Sequence, residues 1–202
     1  MSKRVYISAD YSILDGDRDV IDVLHSWGND NLHKVDYVDT AQVVSGSVSN
    51  DPNCRPCDLK AEFNDQIRAS SAIIFVIGDK TKERTAGSSC RRLRDGDYCV
   101  CTPYKQNANG STYCKIHGSI YNPGPDSDVG KINEFSYLRH EFLQADKLEK
   151  TIIVVYNSLN KQPSWLPSYM SDYADQAQPF WIKSFNGRMG NYDFIKKALG
   201  YE

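Results

Sequence analysis

The chain has 202 residues, a length that suits one domain or one domain with a sizeable insertion. Hydrophobic residues make up 40% of it, charged residues 25%, and the net charge is −2, so no general affinity for nucleic acid or membrane is expected. The longest apolar runs, Ala72–Ile77 and Ile152–Tyr156, are far too short to span a bilayer. Met1-Ser2-Lys3-Arg4 leads into a strand with no apolar signal core, so the expected location is the cytoplasm.

Arg4-Val5-Tyr6-Ile7-Ser8 is rich in β-formers and predicts a first strand, ended by the polar break Ala9-Asp10-Tyr11-Ser12. Asp15-Gly16-Asp17 offers a helix start, and Val20, Ile21, Val23, Leu24 and Trp27 supply an apolar face up to Gly28. Val35-Asp36-Tyr37-Val38-Asp39 alternates and predicts a second strand. Residues 40–56, with Gly46, Pro52, Asn53 and several serines, predict a loop. A helix is expected from Asp58 to about Ala69, with Leu59, Phe63 and Ile67 at spacings of four. Ala72-Ile73-Ile74-Phe75-Val76-Ile77 is apolar throughout, the pattern of a central parallel strand covered on both faces; it stops at Gly78.

From about Lys80 to Lys131 the texture changes to glycine, asparagine, tyrosine, proline and cysteine, and no period holds. A structureless loop of that length does not suit a compact domain, so an inserted subregion with its own staple is expected. Its cysteines read Cys90-x8-Cys99-x-Cys101-x12-Cys114-x2-His117, with Cys54-x2-Cys57 upstream. The close pairs are those a tetrahedral zinc needs. Four ligands would come from Cys54, Cys57, Cys99 or Cys101, and Cys114, or from Cys90, Cys101, Cys114 and His117; the spacing does not choose between them. A structural zinc would hold an aperiodic segment in shape, whereas the alternative is cysteines packed as small hydrophobes. The same stretch carries nine Lys or Arg against five Asp or Glu, densest at Arg91, Arg92 and Arg94. A solvated basic loop, an electrostatic guide for an anionic dinucleotide and a partner contact all fit that surplus.

Phe135 to Phe142 predicts a helix upstream of the strand Thr151–Tyr156. At about 100° per residue, Phe135, Leu138, Phe142, Ala145 and Leu148 form one apolar stripe, and Glu141 falls inside it. A carboxylate on the core side of a helix is costly unless it is paired, solvated by a cleft, or used. Pro163, Pro167 and the aromatic-rich stretch 165–173 then predict an irregular linker. Pro179-Phe180-Trp181-Ile182 predicts a last strand, and Asn191–Leu199 a closing helix with Tyr192, Ile195 and Leu199 on one face. Strands alternating with helices predict one α/β domain over residues 1–202, with an inserted subregion at about 80–131. Its expected core is a flavodoxin-like, doubly wound parallel sheet of about five strands. Ligands of such folds lie beyond the carboxyl ends of the strands, where Ser8, Asp10, Tyr11, Asp39 and Gly78 fall. Arg18 and Asp19 open the first helix; a helix N-terminus favours phosphate, and Arg18 would add a bidentate contact, the alternative being a solvated helix start.

Three stretches carry a family resemblance. Lys3-Arg4-Val5-Tyr6-Ile7-Ser8, Ile77-Gly78-Asp79-Lys80-Thr81 and Tyr137-Leu138-Arg139-His140-Glu141-Phe142 resemble, in that order, the TIR family. More narrowly they resemble its bacterial TIR-like branch, which includes the TIR proteins of Thoeris antiphage systems. The pattern is a basic residue before a strand ending in Ser, then a strand ending Ile-Gly-x-x-Thr, then a helix with an aromatic-x-x-x-Glu. The likeness covers most of residues 1–82 and 133–160. Two departures stand out: the family often has Trp where this chain has Tyr137, and about fifty residues separate the Ile-Gly-x-x-Thr turn from the helix where the family usually has few.

The resemblance implies an enzyme that cleaves the bond between nicotinamide and ribose in NAD, with Glu141 as its catalytic carboxylate and Tyr137 beside the substrate. It implies an ADP-ribose-derived product, cyclic or conjugated, read by a separate effector in antiphage defence, and self-association of the chain. NAD is then a substrate and not a redox cofactor, since the chain has neither a Walker-type loop nor Gly-x-Gly-x-x-Gly. Two other classes stay open: a non-enzymatic TIR module that recruits partners, and a zinc-stabilised sensor of nucleic acid or a phage component.

Overall fold

A computed structural model gives the protein's structure; it describes residues 3–10, 17–30, 33–39, 55–85, 136–185 and 187–201. By its internal contacts the chain forms two units. Met1–Thr40, Gln66–Arg84 and Ala145–Glu202 make the first; Ala41–Asp65 and Thr85–Gln144 make the second.

The first unit is built on five parallel strands, β1 (Lys3–Ser8), β2 (Val35–Asp39), β3 (Ala72–Ile77), β4 (Thr151–Tyr156) and β5 (Gln178–Pro179). Their order is β2-β1-β3-β4-β5. This is an α/β architecture consistent with the doubly wound layout expected from the alternation of elements. The all-apolar β3 lies between β1 and β4 and is buried along its whole length, as a strand covered on both faces must be. The edge strand β2 exposes Asp36 and buries its other four residues.

Register lines up the core in rows. Ile7 pairs with Ile74, which pairs with Ile153; Tyr37 pairs with Val5, which pairs with Ala72. These rows form one face of the sheet. Against them pack Val20, Ile21 and Leu24 of α1 (Asp17–Trp27) together with Ile195 and Leu199 of α4 (Tyr192–Ala198) and the residue after it. The alternate positions Tyr6, Ser8, Ile73, Phe75, Ile77, Val154 and Tyr156 point to the opposite face and are buried as well.

Helix boundaries follow local chemistry. α2 runs Arg55–Ala69, three residues earlier than the sequence pattern suggests. Pro56 sits in its first turn, where the missing N–H would have had no helical acceptor. α3 runs Tyr137–Lys147. Ser136 caps it, its Oγ accepting from the Arg139 N–H at 2.9 Å. The helix closes where Glu149 takes the left-handed conformation, at φ 51°, and the Lys150 N–H returns to the Ala145 carbonyl at 3.0 Å.

The expected last strand, Pro179–Ile182, is two elements. Gln178–Pro179 extends the parallel sheet beside Val155 and Tyr156, while β6 (Trp181–Ser184) turns away and pairs antiparallel with β7 (Gly187–Gly190). Phe180 is the pivot: its N–H bonds the Tyr156 carbonyl at 2.8 Å and its own carbonyl takes the Asn191 N–H at 2.7 Å. Gly187, at φ 118°, closes the hairpin in a conformation other residues rarely adopt. A Cβ on Gly190 would stand 2.6 Å from the Trp27 ring, so only glycine fits that approach. Asn191 then caps α4, accepting from the Phe194 N–H at 3.3 Å. Among the described residues no helix is long and apolar enough to cross a membrane.

Candidate functional site

In the first unit, the carboxyl ends of β1, β2 and β3 lie side by side because the strands pair in parallel register. Ser8, the last residue of β1, is buried. Asp39, the last of β2, is also buried and meets His25 of α1, with 2.7 Å between the His25 Nε2 and the carboxylate. Just past β3 the chain turns at Gly78, whose N–H donates to the Thr81 Oγ1 at 2.8 Å. Past β1, the Asp10 carboxylate stands 3.5 Å from the Arg84 Nε and accepts a hydrogen bond from the Thr81 side chain. Burial raises the pKa of Asp10, opposed by Arg84 and Thr81.

Asp10 and Gly78 stand against Asp17, at the first turn of α1. Asp17 is 0% exposed. Its Oδ1 accepts from the Asn157 Nδ2 at 2.9 Å; its Oδ2 has no hydrogen-bond partner among the described residues. Asn157 follows β4 directly, and its backbone N–H bonds the Ile77 carbonyl at 2.9 Å. Its side-chain Oδ1 takes the Trp181 Nε1–H at 2.7 Å. A Cβ on Gly78 would stand 3.1 Å from the Asp17 Oδ1, so the carboxyl group fills the space that glycine leaves. Burial raises the Asp17 pKa to about 7; the Asn157 hydrogen bond and one from the Asp10 backbone N–H oppose that rise, and the charges of Asp10 and Asp79 add to it.

The residues expected from the sequence thus separate. Ser8, Asp10, Asp39 and Gly78 stand at the strand ends of the first unit, with Asp10 and Gly78 against Asp17. Arg18 and Asp19 do not join them: Arg18 is exposed and pairs along its own helix with Asp22 at 3.4 Å, and Asp19 is exposed and pairs with Arg188 at 2.8 Å. Each thus has its ion-pair partner at the exposed start of α1. Tyr11 lies outside the described residues, as do Cys54, Cys90, Cys99, Cys101, Cys114, His117 and the side chain of Cys57; the zinc expectation falls there. Among the described residues no group of three His, Cys, Asp or Glu side chains is placed to hold a metal.

In the second unit, α3 carries Glu141 at 3% exposure, with His140 and Gln144 at 1%. The His140 Nε2 lies 2.9 Å from the Asn64 Oδ1 of α2. Tyr137 is half-buried, its ring edge-on to Phe63 with centroids 5.5 Å apart. The inward placement expected of Glu141 from its helical position is therefore observed.

Asp17, Asn157 and His25 were not expected, whereas Thr81 ends the Ile-Gly-x-x-Thr pattern. Asp17 reads in sequence as an ordinary first-turn acid. Asn157 was legible by the rule that picked out Gly78, since it too is the first residue past a buried parallel strand. No protein-family model matches the chain, and no curated protein matches it.

Proposed function

We propose that the protein is a TIR-type enzyme that consumes NAD, cleaving the nicotinamide–ribose bond and making an ADP-ribose-derived signal for a separate effector in antiphage defence. The observation that carries this reading is the burial of Glu141, a carboxylate at 3% exposure on the inward side of α3. It stands four residues after Tyr137, in the aromatic-x-x-x-Glu pattern of the resemblance. The order of elements around an all-parallel sheet supports it at the level of fold.

The reaction asks little of the protein beyond a well-placed negative charge. The C1′–N bond breaks with its electron pair leaving on nicotinamide, which departs neutral, and positive charge develops across the ribose C1′ and ring oxygen. The Glu141 carboxylate stabilises that charge and orients the ribose hydroxyls. Attack at C1′ by water, with loss of a proton, gives ADP-ribose; attack by a nucleophile of the same molecule gives a cyclic product, and attack by a second molecule gives a conjugate. Ser8, Asp10, Tyr11, Asp39 and Gly78 are assigned to substrate binding from the sequence pattern, which puts them at or just past strand ends.

The test is nicotinamide release from NAD by the purified protein and by Glu141→Gln, each checked for folding by circular dichroism. The substitution keeps shape and removes charge, so release falls by at least about a hundredfold. Release at the wild-type rate by a folded Glu141→Gln protein overturns the assignment. Where the purified wild type is silent, the same pair is compared by NAD loss in phage-infected cells.

A further inference from the structure

Among the charged side chains buried in the first unit, Lys196 and Asp17 are treated differently by their surroundings. Lys196 is satisfied: its Nζ donates to the His33 carbonyl at 2.9 Å, stands 4.0 Å from the Asp30 carboxylate and lies 5.0 Å from the ring centroid of Tyr192. Asp17 has no such company. From the end of β1 it faces Asp10; from the turn after β3 it faces Gly78 and Asp79; from the segment after β4 it faces Asn157. On its own helix Arg18 and Asp19 are exposed and paired elsewhere. The Arg84 guanidinium is against Asp10, and no Lys or Arg pairs with Asp17 among the described residues. A fully buried carboxylate with two donors, the Asn157 amide and the Asp10 backbone N–H, two acids nearby and an Oδ2 without a hydrogen-bond partner among the described residues is unfavourable as an anion.

Such a group needs a counter-charge. A metal ion is poorly provided for, since no three ligating side chains gather among the described residues and Arg84 already stands on Asp10. A proton needs no further ligand. We propose that Asp17 is a proton-linked switch at the carboxyl ends of the strands: it holds a proton on Oδ2 in the folded protein, and loss of that proton to solvent weakens the junction of α1 with the ends of β3 and β4. The junction is a single chain of bonds. Asp17 meets Asn157, whose side chain meets Trp181 and whose backbone N–H meets the Ile77 carbonyl. An ionised Asp17 keeps the Asn157 bond but sets a third negative charge beside Asp10 and Asp79 in a dry site.

Burial pushes Asp17 up to about 7, so the switch crosses near neutral pH. In an unfolded chain the group loses its proton near 3.8. Between those values the folded protein binds the proton and the unfolded chain does not. The stability it provides is therefore complete below 3.8, declines as pH rises, and is gone above about 7. Within the window this one group shifts the unfolding equilibrium by about tenfold per pH unit.

Urea unfolding of the wild type and of Asp17→Asn, from about pH 5 to about pH 8, tests the proposal. Asparagine keeps the shape and cannot ionise. The wild type is expected to lose ground to the variant by about tenfold in the unfolding constant per pH unit up to neutrality, with a constant difference above it. Parallel pH profiles overturn the proposal. Should the variant not fold, carbon-13 titration of the wild-type Asp17 carboxyl decides the matter. A midpoint between about pH 6 and pH 8 supports it, and one below about pH 5 overturns it. Amide exchange in the first turn of α1, corrected for its intrinsic pH dependence, should quicken above neutrality; no change overturns the loosening. A rise in the wild-type urea midpoint with Mg²⁺ at about pH 8, absent from the variant, assigns the site to a cation and overturns the proton reading.

Discussion

α1 and α3 are each eleven residues long, yet they bury different chemistry. Beyond its first turn α1 buries only Val20, Ile21 and Leu24. α3 buries Leu138, Phe142 and Ala145 in company with His140, Glu141 and Gln144. An apolar stripe stabilises the fold by leaving water and asks for nothing more. A polar inward face gains little from burial and must satisfy each group, as Asn64 does for His140 at 2.9 Å. The difference teaches where to look for function: beyond its first turn α1 buries apolar residues alone, whereas α3 also buries polar ones.

That contrast can be broken by substitution. The largest effect belongs to Glu141→Gln, which is expected to abolish NAD cleavage while leaving the urea midpoint unchanged or raised, since a buried charge kept for chemistry is a burden on stability. An equal loss of stability and activity would make Glu141 a structural residue and erase the distinction between the helices. Next comes Leu24→Ala on α1, a fully buried leucine against the sheet. It should cost about 2–5 kcal/mol in urea unfolding and leave turnover per folded molecule intact.

A smaller loss, about 1–3 kcal/mol, is expected from Asn64→Ala, which takes away the acceptor facing His140 in a buried site. Restoration by Asn64→Gln would show that the hydrogen bond and not the volume matters. Smallest is Arg18→Ala. Its pair with Asp22 is exposed, so unfolding should change by no more than about 0.5 kcal/mol and the KM for NAD should not move. A rise in KM at low salt would return Arg18 to the phosphate role that its position at a helix start suggested.

Much of the fold was legible in the residues. The six apolar positions of β3 declared a central strand, the alternation in Val35–Asp39 declared a second strand, of which only Asp36 is exposed, and the strand–helix succession declared a parallel sheet. Periodicity reports which face of an element leaves water, and that is a local property of sequence. It also put Glu141 on the inward side of its helix, because only the angle from Leu138 and Phe142 was required. The early start of α2 lies in the last two residues of the expected 40–56 loop and in Cys57, since the first turn tolerates Pro56. The split at Phe180 was missed because an aromatic run looks the same whether it continues one sheet or begins another.

What the sequence by itself determined, then, is the first four parallel strands, the helices between and after them, and the strand ends where a site would lie. What only the tertiary structure decided is which polar groups meet there. Asp17, Asn157 and Trp181 are far apart in the chain and carry no periodic signal. They meet because β1, β3 and β4 end side by side and α1 starts at the same edge of the sheet. The charge state of Asp17 follows from that meeting, since burial and neighbouring acids, not the residue type, set its proton affinity.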